Sequence, residues 1–206
     1  MAPKPTQTLY VVAGPNGSGK STLVAQLRER FSTTLKVWIN ADEIAARMQA
    51  ESRGTVGISL AAAIEADRLR HAALDAGRDL ITETVMSDEA RWASFFKKAR
   101  QCGYCVALYF VTTADPEINV ARVRTRVAMG GHAVPEERIR SRYRKVLQTV
   151  LPGILPLVDK AYLFDNGSVE AGMRLIAVYR EGRVILRDEA RDSELAGWLT
   201  SLGTSL

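Results

Sequence analysis

The stretch GPNGSGKST, from Gly14 to Thr22, has the residue types and spacing of a phosphate-binding loop. Its pattern is G-x-x-x-x-G-K-[ST], the Walker A motif, in which backbone N–H groups turn inward around phosphate oxygens and glycines leave room for that approach. We expect the Lys20 ammonium to bind the β- and γ-phosphates of ATP, and the Ser21 hydroxyl to bind Mg²⁺. The predicted nucleotide-binding residues are Gly14, Pro15, Asn16, Gly17, Ser18, Gly19, Lys20, Ser21 and Thr22.

Two acidic positions are candidates for the chemistry beside this loop. Asp42 follows a short apolar segment, and Glu83 with Thr84 closes another. In an open parallel sheet, ligands lie beyond the carboxyl ends of the strands, so these residues are expected to face the γ-phosphate. Phosphoryl transfer to an alcohol needs a carboxylate that accepts the hydroxyl proton, and we assign this role to Asp42. Lys20 is the second residue predicted to be catalytic, through its contact with the phosphates.

Each acid also has a purely structural interpretation. Asn40 with Glu43 three residues later resembles a capping box, and Asp42 would favour the N-terminus of the same helix. Glu83 could hold a Mg²⁺-bound water or a substrate hydroxyl, or it could cap the turn that follows its strand. The predicted substrate-side residues are therefore Asp42, Glu83 and Thr84. The capping roles of Asp42 and Glu83 remain open as alternatives.

Basic residues are concentrated in one 24-residue stretch, opposed there only by Glu136 and Glu137. The stretch predicts a lid that binds phosphate, a solvated helix face, or a nucleic-acid patch; stacking aromatics other than Tyr143 are missing from it, which makes nucleic acid the least favoured. Helical spacing puts the residues at 138 and 142 on one face and those at 140 and 144 on another, so both pairs cannot face one triphosphate. We predict Arg126 and Arg142 as the catalytic γ-phosphate clamp. The basic residues are Arg122, Arg124, Arg126, Arg138, Arg140, Arg142, Arg144 and Lys145.

The elements that must position these residues alternate between strand-like and helical patterns. Strands are predicted near 9–13, 36–39, 79–83, 105–111 and 160–165, and a β-hairpin around Glu181-Gly182 follows. The fold class predicted is α/β, a P-loop NTPase with a parallel sheet of about five strands, helices on both faces and a C-terminal β-hairpin. We expect one P-loop kinase domain over residues 1–206, with a core at 9–166, a lid around 122–150, and the hairpin and a helix at 167–206.

Composition is that of an ordinary globular protein: 206 residues, 47% hydrophobic, with a net charge of +5. The sequence has no apolar run of the ~18 residues that a membrane span needs, and its polar start is unlike a signal peptide. We therefore expect a cytoplasmic protein without membrane contact. Cys102 and Cys105 form a C-x-x-C that ends a helix and enters a strand, which favours incidental thiols over a redox or zinc site.

Four segments in order resemble the zeta toxin family, and more closely its short chromosomal zeta-like ATPases: GPNGSGKST, INADE, ITETVMS and RVAMGGHAVPEERIRSRYRKVL. The resemblance covers roughly residues 8–166. It implies a kinase that uses ATP and Mg²⁺ to phosphorylate the 3′-hydroxyl of UDP-N-acetylglucosamine, and a paired antitoxin protein that obstructs nucleotide binding. By its motifs, Lys20 and Ser21 correspond to nucleotide and Mg²⁺ contacts, Asp42 to the base, and Glu83-Thr84 to the substrate-side strand end.

Three functions remain open on the sequence. The first is a small-molecule kinase for a UDP-sugar, and the second is a kinase for another small alcohol, such as a nucleoside, sugar or antibiotic. The third is a nucleic-acid-associated ATPase or a regulatory binding module, for which the net positive charge is the main support.

Overall fold

The computed structural model of the chain describes residues 7–30, 37–51, 57–131, 133–187 and 195–204. The strands are β1 (Gln7–Ala13), β2 (Val37–Asn40), β3 (Leu80–Thr84), β4 (Tyr104–Thr112), β5 (Lys160–Asp165), β6 (Arg174–Arg180) and β7 (Arg183–Leu186). The helices are α1 (Lys20–Arg30), α2 (Ala41–Glu51), α3 (Ile58–Asp75), α4 (Glu89–Gln101), α5 (Pro116–Ala128), α6 (Glu136–Lys145), α7 (Leu151–Ile154) and α8 (Ala196–Thr204).

All seven strands belong to one sheet, in the order β2-β3-β1-β4-β5-β6-β7. The first five strands of that order are parallel, which confirms the predicted sheet of about five strands. The β6–β7 hairpin is antiparallel and extends the same sheet beyond β5. This order puts β1 in the middle of the five parallel strands. On one side of it lie β3, which carries Glu83, and β2, which leads directly into α2 and Asp42; on the other side lie β4 and β5.

Helices pack on both faces of the sheet, as predicted. On one face, apolar residues of α3, α4, α7 and α8 form the main core with side chains such as Leu9, Leu108 and Leu163. On the other face, Leu23 and Leu27 of α1 pack against the central strands. The central strand β4 is buried on both faces, which accounts for its nearly continuous apolar sequence.

Local signals explain where several elements begin and turn. The Asp115 carboxylate accepts a hydrogen bond from the N–H of Glu117 at 2.8 Å and caps α5, whose first residue is Pro116. Glu181 and Gly182 have φ values of 52° and 76° and connect β6 to β7 as a two-residue turn. The turn at Glu181-Gly182 is the hairpin that the sequence predicted.

The helical segment that begins with α6 continues beyond the end of α6. Helical structure continues to Leu157, because Val146–Val150 forms a π-helical turn in which the N–H of Leu151 donates to the carbonyl of Val146. The altered register accommodates Pro152, which has no N–H to donate. Burial of Leu151, Ile154 and Leu155 stabilises this extension.

Three predicted features lie outside the described residues: the start of the second strand at Lys36, most of the loop at 51–57, and His132 of the G-G-H segment. Among the residues that are described, none of the helices is long and apolar enough to cross a membrane.

Candidate active site

The P-loop (residues 14–22) connects β1 to α1, and hydrogen bonds between its own residues stabilise its conformation. Lys20 is only 8% exposed, and its ammonium donates to the carbonyl of Pro15 at 2.9 Å. The N–H of Ser18 donates to the same carbonyl. Gly14 has φ +145°, and a Cβ there would lie 2.0 Å from the carbonyl oxygen of Val111 on β4, so no other residue fits at this position.

A cavity of about 590 Å³ opens beyond the carboxyl ends of β1, β2 and β3. Its volume is within the range of small-molecule sites. Ten of the predicted site residues line it: Asn16, Gly17, Gly19, Lys20, Ser21, Asp42, Glu83, Thr84, Arg126 and Arg142. The other four support the loop from outside the cavity lining, with Gly14, Pro15 and Ser18 buried behind it and Thr22 exposed on the first turn of α1.

Glu83 contacts the P-loop directly, and Asn40 links the segment of Asp42 to Glu83. Glu83 accepts hydrogen bonds from the Ser21 hydroxyl at 3.2 Å and from the Asn40 side-chain amide at 3.1 Å. The side-chain oxygen of Asn40 accepts a hydrogen bond from the N–H of Asp42 at 2.8 Å and so caps α2. Glu43, the predicted partner of Asn40 in a capping box, forms an ion pair with Arg28 at 2.7 Å. The helix cap is therefore formed by Asn40, and Asp42 lines the cavity.

Burial shifts the pKa values of the two central charged groups toward their neutral forms. Burial lowers the pKa of Lys20, and Arg126 and Arg142 act in the same direction, while Glu83 and Asp42 oppose it. Burial also raises the pKa of Glu83, and the Lys20 charge and the Ser21 hydrogen bond lower it in part. A bound phosphate would favour the charged form of Lys20, and a bound divalent cation would favour the charged form of Glu83.

Glu83→Gln should separate stability from catalysis. Because the folded pKa of Glu83 is raised above its ordinary 4.5, the carboxyl contributes stability that is fully present below pH 4.5 and is lost as pH rises through the folded pKa. The variant should therefore match the wild type in thermal unfolding at pH 4.5 and unfold at a higher temperature near pH 7, while its transfer activity falls. Equal stability of both proteins at neutral pH would contradict this account.

The arginines of α5 and α6 divide between two surfaces. Arg138 and Arg142 line the cavity, and the Arg142 guanidinium donates to the Asn16 side-chain oxygen at 3.3 Å. Arg140 instead pairs with Glu117 at 2.7 Å and with Glu136 at 3.2 Å. Arg144 lies 3.9 Å from Glu137. The helical period predicted this division, although Arg122 and Arg138 also line the cavity and were not chosen from the sequence.

Another wall of the cavity is formed by residues of α3 and α4 that the sequence did not single out. Arg70, only 5% exposed, lies over the ring of Trp92 at 5.2 Å and donates to the Thr82 hydroxyl and to the carboxylate of Asp67. Arg91 pairs with the same carboxylate of Asp67 at 3.1 Å. Two guanidinium groups thus share the carboxylate of Asp67, and Asp88 also lines this side of the cavity.

The oxygen ligands for a magnesium ion are adjacent. The Ser21 hydroxyl and the Glu83 carboxylate are in contact at the mouth of the P-loop, and Asp42 lines the same cavity. Mg²⁺ favours a hydroxyl, one or two carboxylates and phosphate oxygens, with water completing its octahedron. The residues therefore fit this ion: Ser21 would bind it, and Glu83 would hold Ser21 or a bound water.

The sheet order, the glycine-rich loop between β1 and α1 and the C-terminal antiparallel strands define an α/β P-loop NTPase-like fold, of the kind found in P-loop kinases. Residues 9–148 match the AAA domain family AAA_33, and the chain belongs to that family.

A protein of Haemophilus influenzae described as uncharacterized is 31% identical over 130 residues, which cover 63% of this chain and 88% of the relative. Among solved structures, a chain of the AvrRxo1-ORF1:-ORF2 complex with ATP is similar, with a TM-score of 0.71 and 17% identity, over 95% of this chain. The present chain spans 64% of that protein's length. The PezAT chromosomal toxin–antitoxin system of Streptococcus pneumoniae matches with a TM-score of 0.60 and 14% identity, over 97% of this chain and 79% of that one.

Proposed function

We propose that this protein is an ATP-dependent small-molecule kinase that transfers the γ-phosphate to a sugar hydroxyl, with the 3′-hydroxyl of UDP-N-acetylglucosamine as its acceptor. One observation carries the proposal: a phosphate-binding loop, a candidate base and four arginines of α5 and α6 line a single cavity of about 590 Å³. A nucleotide triphosphate and an acceptor that bind there together would have their reacting groups held close to each other.

The groups divide the work of the transfer among them. The acceptor oxygen attacks the γ-phosphorus, the bond to the bridging oxygen of ADP breaks, and the hydroxyl proton passes to the Asp42 carboxylate. Lys20, Arg126 and Arg142 stabilise the negative charge that develops on the transferred group. Mg²⁺, when bound at Ser21, would neutralise charge on the β- and γ-phosphate oxygens.

The choice of acceptor is supported by the cavity wall that α3 and α4 form. Arg70 of α3 and Arg91 of α4 both line the cavity, and their guanidinium groups are of the kind that donates to phosphate oxygens. Such a surface suits an alcohol that carries a diphosphate, and Trp92 offers an apolar face beside it. A UDP-sugar carries such a diphosphate, whereas an uncharged sugar or nucleoside has no phosphate for these arginines to bind.

The direct test is transfer of radiolabelled γ-phosphate from ATP to UDP-N-acetylglucosamine. We expect one phosphate per acceptor, formation of ADP in equal amount, and loss of transfer when EDTA removes Mg²⁺. Neutral sugars, nucleosides and aminoglycoside-type alcohols serve as the matched acceptor panel. Transfer to one of these in preference to the UDP-sugar would replace the proposed acceptor and retain the kinase; ATP hydrolysis stimulated by RNA or DNA, with no transfer, would contradict both.

We also propose that a cognate antitoxin protein binds this chain. The support is that two structural neighbours come from paired proteins, the AvrRxo1-ORF1:-ORF2 complex and the PezAT toxin–antitoxin system. Co-expression with the product of the adjacent gene should give a stable complex in size-exclusion chromatography and lower the affinity for ATP. A neighbouring protein that leaves ATP binding unchanged would not be such a partner.

A further inference from the structure

Two asparagines from distant elements contact the P-loop on the side that faces away from the cavity. The Asn119 side chain, in the first turns of α5, donates to the carbonyl of Asn16 at 2.7 Å. The Asn166 side chain, which directly follows β5, donates to the carbonyl of Ser18 at 2.8 Å. Asn119 is fully buried, and Asn166 is half-buried.

These hydrogen bonds fix the direction of two backbone N–H groups. In a planar trans peptide, the C=O of one residue and the N–H of the next point in opposite directions. An outward carbonyl at Asn16 therefore directs the N–H of Gly17 inward, and an outward carbonyl at Ser18 does the same for Gly19. Both glycines line the cavity.

The two asparagines are themselves held in place. The hydroxyl of Thr113 donates a short hydrogen bond to the side-chain oxygen of Asn119, so the amide of Asn119 is left to face the loop. The Tyr143 hydroxyl of α6 donates to the Thr113 carbonyl at 2.6 Å, and the Asn166 N–H donates to the carbonyl of Thr112 at 2.8 Å. The two asparagines, together called the clasp, are thus anchored to the end of β4 and to α6.

Close packing of the loop glycines supports the same conclusion. A Cβ on Gly17 would lie 2.5 Å from the backbone oxygen of Asn119, and one on Gly19 would lie 2.2 Å from the side-chain amide of Asn166. The glycines are therefore required for the approach of the asparagines as well as for that of a phosphate.

We propose that Asn119 and Asn166 are positioning residues that hold the Gly17 and Gly19 N–H groups toward the β- and γ-phosphates of the nucleotide. The inference rests on the nucleotide site of the proposed function and adds the device that orients its donors. It applies to ligands with at least two linked phosphates, because the loop binds phosphate and makes no demand on the base. Without the clasp, either peptide can rotate and turn a carbonyl oxygen toward the phosphate.

Asn166→Asp and Asn119→Asp test the proposal, since each keeps the side-chain shape and replaces the donor by an acceptor that repels the loop carbonyl. Each variant should weaken binding of ATP and ADP about tenfold, the effect of losing one oriented hydrogen bond, measured by calorimetry without acceptor. Binding of AMP, which lacks the β- and γ-phosphates, should be unchanged, and so should the KM for the acceptor. Asn166, which is half-buried, keeps the test valid if the Asn119 variant does not fold.

Asp115→Ala is the matched control, because it removes the cap of α5 and destabilises the same helix without touching the P-loop. It should lower thermal stability and leave ATP binding at the wild-type level. Unchanged ATP affinity in Asn166→Asp, equal weakening of AMP, or equal weakening by Asp115→Ala would each overturn the proposal. If the asparagine variants bind ATP more weakly but the wild-type protein transfers phosphate to none of the acceptors, the clasp is supported and the proposed kinase activity is refuted.

Discussion

Replacing Asp42 by asparagine is expected to lower kcat for phosphoryl transfer by ~10²–10⁴ while the affinity for ATP changes only by a few-fold, because a general base acts on the acceptor proton and not on nucleotide binding. Asp42 lies at the start of α2, with its N–H fixed by Asn40, and its side chain lines the cavity beside Lys20 and Glu83. Asparagine keeps the size of the side chain and cannot accept the proton. Steady-state kinetics with saturating ATP and acceptor measure the effect.

Glu43→Gln provides the matched control for this variant. Glu43 is the next residue of α2 and carries the same charge, but its carboxylate pairs with Arg28 outside the cavity. Its loss should leave kcat unchanged and reduce stability by less than about 1 kcal/mol, the usual range for an exposed ion pair. If Asp42→Asn lowers the melting temperature without lowering kcat, Asp42 serves the helix N-terminus and not the reaction.

Arg142→Ala should lower kcat by ~10³ or more, whereas Arg140→Ala should have almost no effect, since a guanidinium that acts on transition-state charge is worth far more than an exposed ion pair. Arg142 reaches Asn16 of the P-loop and affects the pKa of Lys20, so it stands where the γ-phosphate is expected. Arg140 is two residues away on the same helix and is engaged by Glu117 and Glu136. Arg140 and Arg142 are the same residue type with the same charge and lie on the same helix, so the two variants differ only in the helix face that is changed.

Single alanine variants at 126, 138, 140, 142 and 144 in one transfer assay resolve which arginines form the clamp. We expect Arg126→Ala to resemble Arg142→Ala, and Arg144→Ala to resemble Arg140→Ala, because Arg144 faces Glu137. A larger loss of kcat in Arg140→Ala than in Arg142→Ala would show that the other face of α6 acts on the phosphate. A large loss in Arg138→Ala would add a third arginine from the cavity face.

The sequence by itself determined the features that depend on neighbours along the chain. The glycine spacing fixed the P-loop, the Asp115-Pro116 pair fixed the start of α5, and Glu181-Gly182 fixed the β6–β7 turn, because backbone angles and capping are set by a few adjacent residues. The helical period likewise placed Arg138 and Arg142 on one face of α6 and Arg140 on another. The parallel sheet with helices on both faces followed from the alternation of apolar and helical segments.

Only the tertiary structure decided which residues meet across the chain. The strand order puts β3 beside β1, and this brings Glu83 to Ser21, 62 residues earlier in the sequence. It also brings Asn119 and Asn166 to the P-loop and Arg70 to the cavity wall, and none of these residues carries a local signal for such a role. Contacts of this length are set by the order and crossover of the strands and by the packing of helices on them, which no local pattern of residues specifies.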